Sequence, residues 1–220
     1  MSAYAVMWSG GKDSALALWR ARRAGLDVRW LVTVNDSATG RVRFHATPMA
    51  AIARQAEAAA CELVSVPTTW EGFDAALAET LGDLRRAGCT GLVFGDIHLA
   101  DVRAWYEERT RAAGLEHVEP LWGAQPASLL AEFVAIGGRA VLTCVETGSL
   151  DASWLGRVID EDFVRDIAGT GVDPCGENGE YHSFAFAGPF FARPVDWRFG
   201  ERRDDGRFAQ VEVVDGAGIA

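Results

Sequence analysis

Ten consecutive positions, Asp173-Pro-Cys-Gly-Glu-Asn-Gly-Glu-Tyr-His182, gather three carboxylates, an amide, a thiol, a phenol and an imidazole. The glycines among them permit unusual backbone angles, and a polar loop this long is usually either functional or disordered. Glu177, Asn178, Glu180 and His182 are the candidates for acid–base and orienting work. Cys175 could serve as a covalent nucleophile or sulfur carrier, but nothing in the sequence pairs it with a base, and buried cysteines are commonly inert; it stays outside the catalytic set.

The second constellation is Ser9-Gly-Gly-Lys-Asp-Ser14. Adjacent Gly10 and Gly11 let the backbone approach an anion and expose amide donors, and a following helix adds about half a positive charge at its N-terminus. Ser9, Lys12 and Ser14 add side-chain donors. Lys12 is also the one lysine among 21 lysine and arginine residues, a compact point charge in a chain that otherwise uses planar guanidinium. The pattern is a phosphate cradle, with an ordinary strand-to-helix turn as the plain alternative. It is not the common P-loop, because Val6 stands where a glycine would be needed and Asp13 where a serine or threonine would follow the lysine.

A third group is Gly95-Asp-Ile-His-Leu-Ala-Asp101 with Arg103, after an apolar run. Ligands of open parallel sheets bind beyond the carboxyl ends of the strands, which places Asp96 beside the cradle. Asp96 either orders a cation or substrate amine or caps the next helix. Arg103 could reach a phosphate. His98 reads as solvent-facing. His45 could touch nucleotide or sit as an ordinary loop histidine, and Trp122 could line an acyl pocket or serve as a core aromatic.

These groups need elements to hold them. β-rich runs at 4–8, 28–34, 63–66, 91–95, 117–121 and 139–145 alternate with helical patterns from the 9–14 turn to about 24 and at 48–60, 73–87, 101–113 and 129–136, closed in places by Gly25 and Gly88. The alternation predicts an α/β fold, a doubly wound, mostly parallel six-stranded sheet covered by helices. After Glu146 the texture changes to an acidic helix near 160–168, the long loop, and short β-like pieces at 183–186 and 210–214. A boundary near 148 is expected, with a nucleotide domain over 1–147 and a smaller C-terminal lobe over 148–220.

With 220 residues, 49% hydrophobic and 24% charged, the chain can bury a sizeable core. Its formal charge of −10 argues against a general nucleic-acid surface. No apolar stretch reaches the roughly 20 residues of a membrane span and no basic leader is present, so a cytoplasmic protein is expected. Cys61, Cys89, Cys144 and Cys175 lie far apart, without metal-ligand spacing, so reduced thiols and no metal cluster are expected.

The Ser-Gly-Gly-x-Asp-Ser loop resembles that of the N-type ATP pyrophosphatases, the PP-loop superfamily, whose members cleave ATP between its α- and β-phosphates. Together with Gly95-Asp-Ile97, Glu119-Pro-Leu-Trp-Gly123 and the 173–182 loop, in order and spacing, the chain from about Ala3 to Phe186 is similar to the diphthine-ammonia ligase family, also called the diphthamide synthase ATP-binding domain family. The resemblance implies an adenine nucleotide alpha-hydrolase-like, Rossmann-like fold. It also implies amidation of a carboxylate with ATP, Mg2+ and ammonia, the named substrate being diphthine on elongation factor 2.

Under that resemblance Ser9, Gly10, Gly11, Lys12, Asp13 and Ser14 bind the nucleotide, and Lys12 stabilises departing pyrophosphate. Asp96 lines the crevice, Glu177 and Glu180 hold ammonium and take its proton, and Asn178 and His182 orient the acyl-adenylate. The alanine- and arginine-rich composition suits a high-GC bacterium, and bacteria make no diphthamide, so in such a host the acceptor would be another carboxylate. A homo-oligomer is an open expectation. The rival readings are another PP-loop enzyme, such as a tRNA thiolase, and a non-catalytic adenine-nucleotide-binding module.

Overall fold

The structure is a computed structural model that describes residues 2–42 and 47–216. Strands β1 (Ala3–Met7), β2 (Asp27–Asp36), β3 (Glu62–Thr68), β4 (Cys89–Val93) and β5 (Glu116–Val118) form a parallel sheet in the order β3-β2-β1-β4-β5. The helices between them are α1 (Lys12–Arg23), α2 (Met49–Ala58), α3 (Phe73–Arg86) and α4 (Ala100–Ala112). The strand order reverses at β1, between β2 and β4, which is where such sheets open a ligand crevice. Both the glycine loop after β1 and the Gly95–Asp101 segment after β4 lie at that point.

The sixth strand is where the sequence expectation fails. After α5 (Pro126–Ala135), strand β6 (Arg139–Glu146) does not join the parallel sheet. It pairs antiparallel with β7 (Tyr181–Ala187) and β9 (Phe208–Asp215), and with the edge strand β8 (Trp197–Asp204) they make a second sheet in the order β7-β6-β9-β8. That sheet therefore begins upstream of residue 148. The reason for the misreading is physical: Ala140 to Val145 are all buried, so no alternation marks an exposed face, and a continuous apolar run looks like an interior parallel strand. Strand β8 was not foreseen because its residues are mostly exposed and rich in arginine. The acidic helix is observed as α6 (Glu161–Ile167), capped by the Asp160 carboxylate on the Phe163 amide.

Alternation along β1 splits the core. Ala5 faces Val32, Leu92 and Phe94 with the Leu77, Leu81 and Leu84 stripe of α3. Val6 faces the other way, into a larger core that continues through α1 to Leu142 and Phe184 of the second sheet. Helix α1 thus lies between the two sheets, with Ala15, Leu16, Ala17, Leu18 and Ala21 at most 1% exposed. Each buried leucine there contributes about 1.5–3 kcal/mol of transfer free energy, so the helix carrying Lys12 is firmly seated. No helix among the described residues is long and apolar enough to cross a membrane.

Candidate active site

The cradle is a strand-to-helix turn whose conformation its glycines permit. Gly10 has φ +83°, and a side-chain carbon there would lie 2.7 Å from Ile52 Cδ1. Gly11 is the N-cap of α1. In the first turn the Asp13 and Ser14 amides have no intrahelical acceptor, as in any helix. The Lys12 amide donates to Ser183 Oγ at 3.2 Å, and Ser14 Oγ donates to the Gly11 carbonyl at 3.0 Å. Ser9 Oγ accepts from the Gly11 amide at 3.3 Å.

Lys12 is 3% exposed. Its ammonium donates to Asp13 Oδ2 at 2.8 Å and to the Cys175 carbonyl, and lies 4.9 Å from the centre of the Tyr181 ring. Burial alone would lower its pKa, but the neighbouring Asp13 carboxylate, with Tyr181 and Cys175, outweighs that and holds it well above the ordinary lysine value. Lys12 is therefore a fixed positive charge.

Opposite it stands a group of carboxylates. Asp96 follows β4 and lines the same cavity as the cradle. Burial first, then the charges of Glu177 and Glu119, push its carboxyl up to about 7. Glu177 accepts a hydrogen bond from the Ile97 amide at 3.0 Å, and burial raises its pKa against that bond. Gly95 makes the approach possible, since a side-chain carbon there would sit 3.0 Å from the Asp13 carbonyl carbon and the Ser14 amide nitrogen. The cavity measures about 840 Å³ and runs from Val32, Val34 and Phe73 past Lys12 and Asp96 to Glu146, Ser149 and Arg207.

The structure brings most of the sequence candidates together. Ser9, Gly11, Lys12, Asp13, Ser14, Asp96, Glu177, Asn178, Glu180 and His182 line one cavity, with Gly10 just behind it. Asp96 does not cap α4, whose N-cap is Leu99. Glu180 is occupied by its own loop: one oxygen accepts from the Asp173 amide at 3.2 Å and the Asn178 side chain at 3.1 Å, the other from the Asn178 amide at 3.0 Å. It braces the loop, and Asn178 is exposed. His182 is neutral at physiological pH, because burial and then Lys12 pull its pKa down to about 4.

Of the other expectations, those for Arg103 and Trp122 are corrected. Arg103 does not turn back to the cavity; its Nε pairs with Glu119 at 2.9 Å and its guanidinium stacks 4.5 Å from the Trp122 ring centre. That pairing also takes Trp122 away from any acyl pocket. His98 is exposed, yet it is tied to Asp173 at 2.9 Å, a bond that raises its pKa and pins the third loop to the segment after β4. Cys175 is buried, its thiol donates to the Pro126 carbonyl at 3.3 Å, and burial pushes its pKa up, which fits an inert thiol. All four cysteines are free. His45 lies outside the described residues.

Sequence reasoning missed the floor of the cradle. Strand β7 places Tyr181 under Lys12, gives Ser183 to the Lys12 amide, and donates the Ala185 amide to the Gly10 carbonyl at 2.8 Å. No local pattern announces a partner 171 positions away. Gln55 did leave a sign, as a polar residue in the buried stripe of α2 beside Ile52 and Ala56.

Against known families, residues 2–117 match the diphthamide synthase N-terminal domain and residues 125–212 match its C-terminal domain. The chain belongs to the diphthamide synthase family. This is an ATP-utilising PP-loop family of ligase type. Among solved structures, the chain is similar to one described as a predicted subunit of tRNA methyltransferase from Methanocaldococcus jannaschii, at 14% identity. The match spans 86% of this chain and 98% of that one with a TM-score of 0.46. Among curated proteins, no match was found.

Proposed function

We propose that the chain is an amide ligase that adenylates a carboxylate, releases pyrophosphate, and lets ammonia displace AMP. One observation carries the reading: a fixed cation with helix N-terminal amides and a cluster of acidic side chains line a single cavity of about 840 Å³. A nucleotide sensor would need no carboxyls beyond one to hold a phosphate-bound cation, and here Asp96, Glu177 and Glu180 all line the cavity.

A carboxylate is a poor electrophile, and transfer to AMP turns its oxygen into a leaving group. Attack on the α-phosphorus builds charge on the departing pyrophosphate, which the fixed charge of Lys12 and the first-turn amides of α1 would stabilise. Glu177, with its pKa raised, holds the incoming ammonium and takes its proton, and Asp96 beside it titrates near 7. Neutral His182 orients the acyl group without attracting phosphate. The parallel-sheet part supplies the nucleotide loop and the antiparallel-sheet part the acceptor side.

Mg2+ fits the donor set: Asp96 offers a hard oxygen ligand, and a dication would offset the burial and the charges of Glu177 and Glu119 that raise its pKa. Bound there it would neutralise phosphate charge. Among the described residues no three His, Cys, Asp or Glu side chains are grouped as a metal site, so the nucleotide's own oxygens would complete its shell.

The acceptor is diphthine on elongation factor 2 in a host that makes it, and otherwise another carboxylate. The test is turnover with ATP, Mg2+, labelled ammonium and candidate acceptors. AMP, pyrophosphate and labelled amide are the expected products, and ADP with phosphate as the sole nucleotide products would refute the reading.

A further inference from the structure

Gln55 lies on α2, is 0% exposed, and uses its whole amide at the glycine loop. Its Oε1 accepts from the Trp8 indole at 2.9 Å, and its Nε2 donates to the Gly10 carbonyl at 2.9 Å and the Ala185 carbonyl at 2.7 Å. The Gly10 carbonyl also accepts from the Ala185 amide at 2.8 Å. Two donors therefore hold that oxygen on the side of the loop away from the cavity; Gly11 lines the cavity and Gly10 does not. In a trans peptide the carbonyl and the next N–H point in opposite directions. Fixing the Gly10 carbonyl inward therefore fixes the Gly11 N–H outward, on the cradle side, where it makes a long hydrogen bond of 3.3 Å to Ser9 Oγ. With glycine on both sides of this peptide, the loop's own side chains do little to prevent the flip.

We propose that Gln55 is a positioning residue for pyrophosphate: it locks the Gly10–Gly11 peptide so that an amide, and not a carbonyl oxygen, faces the phosphates. Trp8 sets the direction of the Gln55 amide by engaging its oxygen, which leaves both N–H bonds for the two carbonyls. A glutamate at 55 would keep the shape and lose both donors. The inference rests on the reading of the loop as a pyrophosphate site, and it assigns Gln55 no contact with substrate.

The test titrates inorganic pyrophosphate and, separately, AMP into wild type, Gln55→Glu, Gln55→Leu and Trp8→Phe by calorimetry, with melting curves for each. The expected result is a roughly 10- to 100-fold loss of pyrophosphate affinity in both Gln55 variants and a smaller loss, about threefold or more, in Trp8→Phe, with AMP affinity unchanged in every folded variant. Should the Gln55 variants fail to fold, Trp8→Phe decides alone by the same criterion. Pyrophosphate affinity equal to wild type in the folded variants overturns the proposal, as does an equal loss for AMP, which would mark a merely structural role. Failure of wild type to bind pyrophosphate would instead strike the reading of the loop itself.

Discussion

The loop at 9–14 and the loop at 173–182 meet across one cavity, yet they are held by different means. The first is short, its shape set by two glycines, a helix start and the strand beneath it; its charge, Lys12, is nearly fully buried and satisfied by Asp13 and a backbone carbonyl. The second has no helix or strand before β7 begins at Tyr181 and is braced by its own Glu180, by His98 through Asp173, and by the Ile97 amide through Glu177. The carboxylate side is under repulsion, with Asp96 displaced to about 7 by burial and by Glu177 and Glu119. On the proposed reading, the difference teaches that binding and chemistry draw on unlike electrostatics: a settled cation where affinity would be needed, and carboxyls of raised pKa where protons would move.

The two loops are not independent. The Cys175 carbonyl, on the second, holds the lysine of the first. The two glutamates of the second loop must therefore behave differently, which gives the comparison its sharpest tests.

The largest effect is expected at the cradle. Lys12→Ala should lower pyrophosphate release by about 10²- to 10³-fold in a variant that still melts cooperatively, since removing a donor where transition-state charge develops costs that much. Steady-state rates equal to wild type would take Lys12 out of the site.

Next comes Glu177→Gln, which should cut amide formation by about 100-fold while ATP affinity stays nearly unchanged. It should also move any rate inflection belonging to Asp96 from near pH 7 to lower pH, because it removes the carboxylate charge that raises Asp96 most. A pH–rate profile superimposable on wild type would break the link between these two groups. Glu180→Gln should weaken ATP binding about tenfold, because loosening the loop frees the Cys175 carbonyl from Lys12. Identical ATP affinity in both variants would erase the distinction drawn between the glutamates.

The smallest effect concerns stability. In the folded chain Asp96 titrates near 7, above its unfolded value of about 3.9, so the native state holds the proton to higher pH. Stability tied to it is thus present at low pH and is lost as pH rises from about 4 through 7. Asp96→Asn should raise the melting temperature by about 2–4 °C or more at pH 8 and by little at pH 4. A gain of the same size at both pH values would contradict the assigned pKa.

How far the sequence revealed this arrangement depended on whether a signal was local. The glycine loop, the strands either side of it and the stripe of Leu77, Leu81 and Leu84 were readable from neighbouring residues. So was the gathering of Asp96 with the cradle, because strand order and the switch-point rule supply it. The antiparallel pairing of β6, the service of β7 as a floor, and the diversion of Arg103 to Glu119 come from contacts that no spacing encodes. Glu180 and Glu177 look alike in the sequence, and only their hydrogen bonds tell them apart.

The central claim is that the glycine loop grips the pyrophosphate part of ATP. Calorimetric titration of inorganic pyrophosphate against inorganic phosphate, in wild type and Lys12→Ala, tests it without needing the acceptor. The account predicts that wild type binds pyrophosphate much more tightly than phosphate, that ATP competes for the same site, and that Lys12→Ala loses at least tenfold of the pyrophosphate affinity. Binding of pyrophosphate that is no tighter than that of phosphate, or that survives unchanged without Lys12, would contradict it.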